Sequence, residues 1–216
     1  MTLSFDLYWS FRSPYSYLVT PRIRALTEEY DVACNVRPVY PIAVRTPEFF
    51  DGRDPLWFSY FMTDVHRCGE FLGLPFRWPK PDPVVFDLQT GKYPKEQPYI
   101  HRLTMLGVAA AEAGKGLPFL DEASRTIWSG TVDNWHEGDH LARAAARAGL
   151  DLYALDDAIA ARPDHYRATI ERNQEAHKAA GHWGVPLMAF KGEPFFGQDR
   201  FVQLKWRLEK NGLSRR

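Results

Sequence analysis

Two short stretches of the chain carry residue types and spacings that could do chemistry. Ser13-Pro14-Tyr15-Ser16 places two hydroxyls three positions apart, where a strand-like run, Leu3 to Phe11, gives way to a helix-like run, Tyr15 to Tyr30. A helix that starts at a strand end leaves its first N–H groups unpaired and facing outward, an arrangement that suits an anion. Ser13 is also a sound N-cap, and Pro14 a sound first helical residue, because proline has no N–H to lose and its φ is already helical. A purely structural role would account for the same residues. The second stretch, His136-Glu137-Gly138-Asp139-His140, spells the HExxH zinc pattern, which needs both histidines on one helical face. Gly138 falls inside it and Asp139 reads as the N-cap of a run beginning at His140, so no metal site is expected. His66, His101, His165, His177 and His182 have no partners at catalytic spacing. Of these, His182, with Trp183 beside Val185-Pro186, is placed to border a cleft.

The elements that must position these residues follow from periodicity. Phe5, Leu7 and Trp9 alternate with Asp6, Tyr8 and Ser10, a strand pattern that Phe11 extends. Leu18, Val19, Ile23, Leu26 and Tyr30 recur at helical spacing, with Pro21 inside, so a kinked helix is expected. Val32 to Tyr40 reads as a second strand, which makes the first forty residues a βαβ unit with a parallel crossover. Asp54-Pro55 opens a helix whose Trp57, Phe61, Val65, Cys68 and Leu72 share a face, and Gly73-Leu74-Pro75 ends it. Residues 75 to 98 carry six prolines and are expected to be a long loop. Helical runs then fall at about Tyr99 to Ala113, Pro118 to Ser129, His140 to Ala148, Ala154 to Ala161 and Asp164 to Ala180. Val185 to Phe190, a Lys191-Gly192 turn and Glu193 to Phe196 form a hairpin with Pro194 on its free edge. A last helix with Phe201, Leu204 and Leu208 on one face ends at Asn211-Gly212. The order is βαβ, helices, then ββα: an α/β thioredoxin-like fold interrupted by an all-helical insertion. Residues 1–45 and 182–216 are assigned to the thioredoxin-like domain and 46–181 to the insertion.

Composition narrows the partners. The formal net charge is zero, without the basic excess that nucleic acid or an anionic membrane would favour. No run is apolar for long enough to span a bilayer and the first residues lack a signal-peptide pattern, so a cytoplasmic protein is expected by default. Cys34 and Cys68 are too few for a disulfide framework and are read as reduced and buried. The high aromatic load is mostly core, although Tyr8, Trp9, Tyr15 and the Trp78 loop are candidates to face an aromatic substrate.

The run Phe5-Asp6-Leu7-Tyr8-Trp9-Ser10-Phe11-Arg12-Ser13-Pro14-Tyr15-Ser16-Tyr17-Leu18 resembles the start of the 2-hydroxychromene-2-carboxylate isomerase and kappa-class glutathione transferase family, a branch of the DsbA-like thioredoxin fold. Tyr60, Asp64, Arg67, Gly73 and Pro75 match the family around its first inserted helix. Gly184-Val185-Pro186 matches the segment before the third strand, and Phe196-Gly197-Gln198-Asp199-Arg200 the start of the last helix. Four such stretches in order touch both halves of the thioredoxin-like domain and the insertion.

The resemblance implies a site. Redox relatives carry two cysteines where Ser13 and Ser16 stand; disulfide exchange needs a thiolate, which serine cannot supply. In the isomerase and transferase branch the thiol arrives on bound glutathione, and the resemblance makes Ser13 the catalytic residue that hydrogen-bonds its sulfur. It implies a cis Val185–Pro186 bond, with Val185 holding the cysteinyl part through its main chain, and Gln198 and Asp199 at the γ-glutamyl end. Relatives also place an asparagine and a lysine in the segment entering the helical domain. This chain has neither, and Arg45 and Arg53 are the candidates to replace the lysine charge. The implied activity is glutathione-dependent isomerisation of a small aromatic carboxylate in aromatic-compound breakdown. The alternatives are a kappa-like transferase acting on another hydrophobic substrate and a thioredoxin-fold binding protein without chemistry. A homodimer is admitted as the assembly.

Overall fold

The computed structural model describes every residue except Met1, Arg53, Leu88 and Gly91. Four strands form its sheet: β1 (Leu3–Trp9), β2 (Val32–Pro38), β3 (Leu187–Phe190) and β4 (Glu193–Phe196), in the order β2-β1-β3-β4. β1 runs parallel to β2, with Leu7 opposite Val36, and antiparallel to β3, with Leu7 opposite Met188. β1 is therefore central, and Phe5, Leu7, Tyr8 and Trp9 are all buried, on both of its faces. The strand stops at Trp9 rather than Phe11 because the chain turns there: the Ser13 N–H donates to the Ser10 carbonyl at 3.1 Å. β2 likewise ends at Pro38, and the Val39 N–H closes onto the Trp9 carbonyl at 2.9 Å.

Among the described residues the helices are α1 (Pro14–Glu29), α2 (Ile42–Arg45), α3 (Pro55–Phe71), α4 (Ile100–Glu112), α5 (Gly116–Trp128), α6 (His140–Arg147), α7 (Leu152–Ala161), α8 (Pro163–Ala179) and α9 (Phe201–Glu209). This is the expected βαβ, helical insertion, ββα order of a thioredoxin-like fold. α1 continues through Pro21 as one helix. Its Ser16 carbonyl accepts from the Thr20 hydroxyl at 2.7 Å and from the buried indole of Trp9 at 3.2 Å, which pins the helix to the sheet. Lys191 and Gly192, with φ of 50° and 81°, make the two-residue hairpin turn whose hand matches strand twist. Pro194 lies on edge strand β4, where no further ladder bond is needed.

The helices of 46–181 share a continuous apolar core with the sheet. Trp128 on α5 is fully buried; its Nε1 donates to the Phe11 carbonyl at 2.9 Å, and its ring packs flat on Phe76 and edge-on to Trp78. Among its described residues the proline-rich loop holds no helix or strand, only a bridge between Asp87 and Lys92. It is moored by Trp135, whose Nε1 donates to the Pro81 carbonyl at 2.8 Å, and by Asp82, which forms a two-pronged ion pair with Arg12 at 3.0–3.1 Å. Cys34 and Cys68 are free thiols, as expected, but half-buried rather than fully so: one sits on the outer strand β2, the other on the lightly covered α3. Among the described residues no helix is long and apolar enough to cross a membrane.

Candidate active site at the start of helix α1

Ser13 caps α1 with an extended backbone (φ −110°, ψ 111°) and is 9% exposed. Its Oγ accepts from the Ser16 N–H at 3.2 Å and donates to the Val185 carbonyl at 3.2 Å. A hydroxyl has one proton to give, so that proton is already committed to the segment before β3. The Val185–Pro186 peptide is cis, as the resemblance implies. Ser13 and Val185, 172 residues apart, thus face each other across one cleft. Ser16, by contrast, is fully buried, and its Oγ has no hydrogen-bond partner among the described residues.

The cleft is a cavity of about 370 Å³ with Ser13, Pro14, Gly184 and Val185 at its base and aromatic walls that include Phe49, Phe50, Phe61, Trp78, Tyr93 and Phe196. Trp57 stacks on Phe61 at 5.6 Å, nearly parallel, and Tyr15 meets the same ring edge-on. An outer chamber of about 570 Å³ shares Phe50, Trp57, Phe58 and Tyr93 with it and adds Lys92 and Lys95. Tyr15 and Trp78 line the cleft as expected, but Tyr8 and Trp9 do not. Trp9 is enclosed under α1 with its Nε1 on the Thr20 hydroxyl at 2.9 Å, and Tyr8 stacks on the buried His177.

Among the described residues, two cations reach this cavity. Arg12 is neutralised by Asp82, which also accepts from the Trp78 indole at 3.1 Å. Arg45, at the end of α2, donates only to carbonyls, those of Tyr40 at 2.6 Å and Trp183 at 3.0 Å, and has no carboxylate in ion-pair range among the described residues. Burial pulls its pKa down to about 10, so it keeps its charge at neutral pH. Arg53 lies outside the described residues. The Tyr15 hydroxyl donates to Asp64 at 2.7 Å, and Arg67 pairs with the same carboxylate at 2.6 Å. Burial and the Asp64 charge push the Tyr15 phenol up, so it stays protonated.

The two remaining expected contacts sit outside the cavity lining, past Phe196. The main-chain carbonyl of Gln198 accepts from Arg22 at 2.9 Å; its Oε1 accepts from the same guanidinium, and its Nε2 donates to Cys68 Sγ at 3.4 Å. Asp199 is exposed, paired with Arg200 at 2.7 Å, with its carboxylate folded against Gly197. The His136–His140 stretch is a turn: Gly138 has a φ of 57° and α6 begins only at His140. Its two histidines therefore share no helical face.

Gly184 has no room for a side chain. A Cβ there would lie 2.3 Å from the Phe196 ring and 3.2 Å from the His182 ring. Gly184→Ala is accordingly expected to cost about 1–3 kcal/mol in denaturant unfolding and to displace Phe196 from the cavity wall.

A DsbA-like thioredoxin domain model matches residues 5–209, and the chain belongs to that family. The structure is similar over 96% of this chain and 95% of the other to a 2-hydroxychromene-2-carboxylate isomerase, with a TM-score of 0.73 and 17% identity. It is also similar to a probable DsbA oxidoreductase from Streptomyces coelicolor (TM-score 0.64, 16% identity, 96% and 90% covered). A third similar structure is the cytosolic disulfide reductase DsbM from Pseudomonas aeruginosa with GSH (TM-score 0.59, 16% identity, 96% and 100% covered). At such identities the likeness speaks for the fold. No curated protein matches the sequence.

Proposed function

We propose that the chain is a glutathione-dependent isomerase of the 2-hydroxychromene-2-carboxylate isomerase kind, acting on a small aromatic carboxylate. The observation that carries this reading is the Ser13 hydroxyl at the N-terminus of α1, hydrogen-bonded to Val185 at the base of an aromatic cavity that also holds Arg45. With serine at both cysteine places, the chain has no thiolate of its own there for disulfide exchange. A borrowed thiolate fits instead. A charged sulfur is a stronger acceptor than a carbonyl, so it takes the Ser13 proton from Val185, and the released Val185 carbonyl becomes free to accept an N–H of the tripeptide. The thiolate also faces the positive end of α1.

The chemistry then needs no net redox change. The thiolate forms a C–S bond to the conjugated chain of the substrate, and the electron pair moves onto the carbonyl oxygen. The former double bond rotates, and expulsion of the thiolate restores the double bond in the other geometry. Arg45 takes a carboxylate of the bound tripeptide, and Asp199 takes the γ-glutamyl ammonium by exchanging it for Arg200. The insertion, 46–181, shapes the pocket for the aromatic substrate through Phe50, Trp57 and Phe61.

Excess glutathione is expected to raise the melting temperature by mass action, and an aromatic benzylidenepyruvate to be isomerised only when glutathione is present. Isomerisation at the same rate without glutathione would sink the reading. Arg45→Gln is expected to weaken glutathione binding about 10- to 100-fold, the worth of one hydrogen bond to a charged group; titration calorimetry measures this directly.

A further inference from the structure

The peptide groups on either side of Gly184 are held by two imidazoles. His177, on α8 and 0% exposed, places Nε2 2.9 Å from the Gly184 carbonyl. His182 receives the Gly184 N–H on Nδ1 at 2.8 Å. A carbonyl can only accept, so His177 must carry its proton on Nε2. An N–H can only donate, so His182 must keep Nδ1 bare. Packing fixes both rings: His177 stacks on Tyr8 at 5.0 Å and His182 on Phe196 at 3.8 Å. Neither imidazole lines the cavity, yet the backbone they grip leads directly into Val185, the partner of Ser13.

We propose that His177 and His182 are positioning residues of the thiol site, holding the Gly184 peptides so that Val185 stays against Ser13, and that a proton on His182 Nδ1 releases this grip. The proposal rests on the glutathione reading for its consequence but not for its geometry. Among the described residues, few titratable or charged groups lie near the pair. His177 faces Tyr8 of β1, Arg45 of α2 and His182 itself; His182 faces the uncharged Trp183 and Phe196. Burial, with Arg45 and His182 adding to it, holds His177 down to about 4, so it remains neutral through the working range. Burial lowers His182 as well, partly offset by its bond to the Gly184 backbone, and its ring is less enclosed than that of His177 and so more open to a proton from solvent. Since the neutral ring is the gripping form, the site works above the His182 pKa and weakens below it.

The test uses the full chain and S-methylglutathione, whose sulfur does not titrate. Binding to the wild type is expected to weaken as the pH falls through the His182 pKa and to level off about tenfold below its neutral-pH affinity, where the grip is fully released. His182→Asn offers the Gly184 N–H a side-chain oxygen that does not titrate, the turn asparagine makes two residues ahead. It should bind as the wild type does at neutral pH and keep its affinity in acid, whereas His182→Phe should bind about tenfold more weakly at every pH. Nitrogen-15 spectra of labelled histidine should find both rings protonated on Nε2 at neutral pH, with the Gly184 amide signal moving as His182 titrates. A proton on His182 Nδ1 at neutral pH, or parallel acid losses in wild type and His182→Asn, would overturn the proposal. The assigned tautomers and a titrating Gly184 amide in a protein that binds no S-methylglutathione would sustain the grip and defeat the glutathione reading instead.

Discussion

Ser13→Ala lowers glutathione-dependent turnover at neutral pH about 10- to 100-fold, because it removes one hydrogen bond to a charged sulfur, worth about 1.5–3 kcal/mol. The same change also deletes the cap bond to the Ser16 N–H and the bond to Val185. Losing the cap costs about 1 kcal/mol of stability, too little to unfold an ordinary domain. Two readouts separate chemistry from folding. The rate deficit should shrink as pH rises toward the free thiol pKa, where thiolate forms without help, whereas a folding defect would not follow the thiol. Ser16→Ala is the paired control: its buried Oγ has no partner among the described residues, so removing it leaves turnover unchanged and stability neutral or slightly improved.

Trp128→Ala has the largest expected effect on stability, about 3–5 kcal/mol. The indole is fully buried between Phe76 and Trp78, and its removal also strips the Phe11 carbonyl of the Nε1 donor at 2.9 Å. Phe11 lies two residues before Ser13, and Trp78 lines the cavity. The variant should therefore lose affinity for the aromatic substrate more than for glutathione, whose proposed contacts lie on Ser13, Val185 and Arg45. Equilibrium unfolding in urea measures the first effect, and separate titrations of the two ligands measure the second. Equal losses for both ligands would mean that Trp128 supports the whole site rather than its aromatic wall.

What could be read from the sequence was local. Alternation in Phe5, Leu7 and Trp9 marks the central strand, Ser13-Pro14 marks the start of α1, and Lys191-Gly192 marks the hairpin, because each depends on neighbours in the chain. The resemblance added Ser13, Val185 and the cis bond, and the fold brings Ser13 and Val185 together. The long-range pairings left no such mark. Arg12 finds Asp82 seventy residues on, Tyr15 finds Asp64 forty-nine on, and His177 reaches the backbone of Gly184 from a different element. No spacing rule connects them, since the contacts are set by how α3, α8 and the proline-rich loop fold over the sheet. The misplacement of Tyr8 and Trp9 has the same origin: alternation separates the two faces of a strand, but here helices cover both.

The central claim is that Ser13 stabilises a thiolate brought by glutathione, and the ultraviolet absorption of that thiolate reports it directly. Titrating the glutathione complex against pH should find the bound thiol ionising well below its value in free solution in the wild type, and returning toward the free value in Ser13→Ala. A bound thiol that titrates as it does in water, or identically in both proteins, would contradict the account.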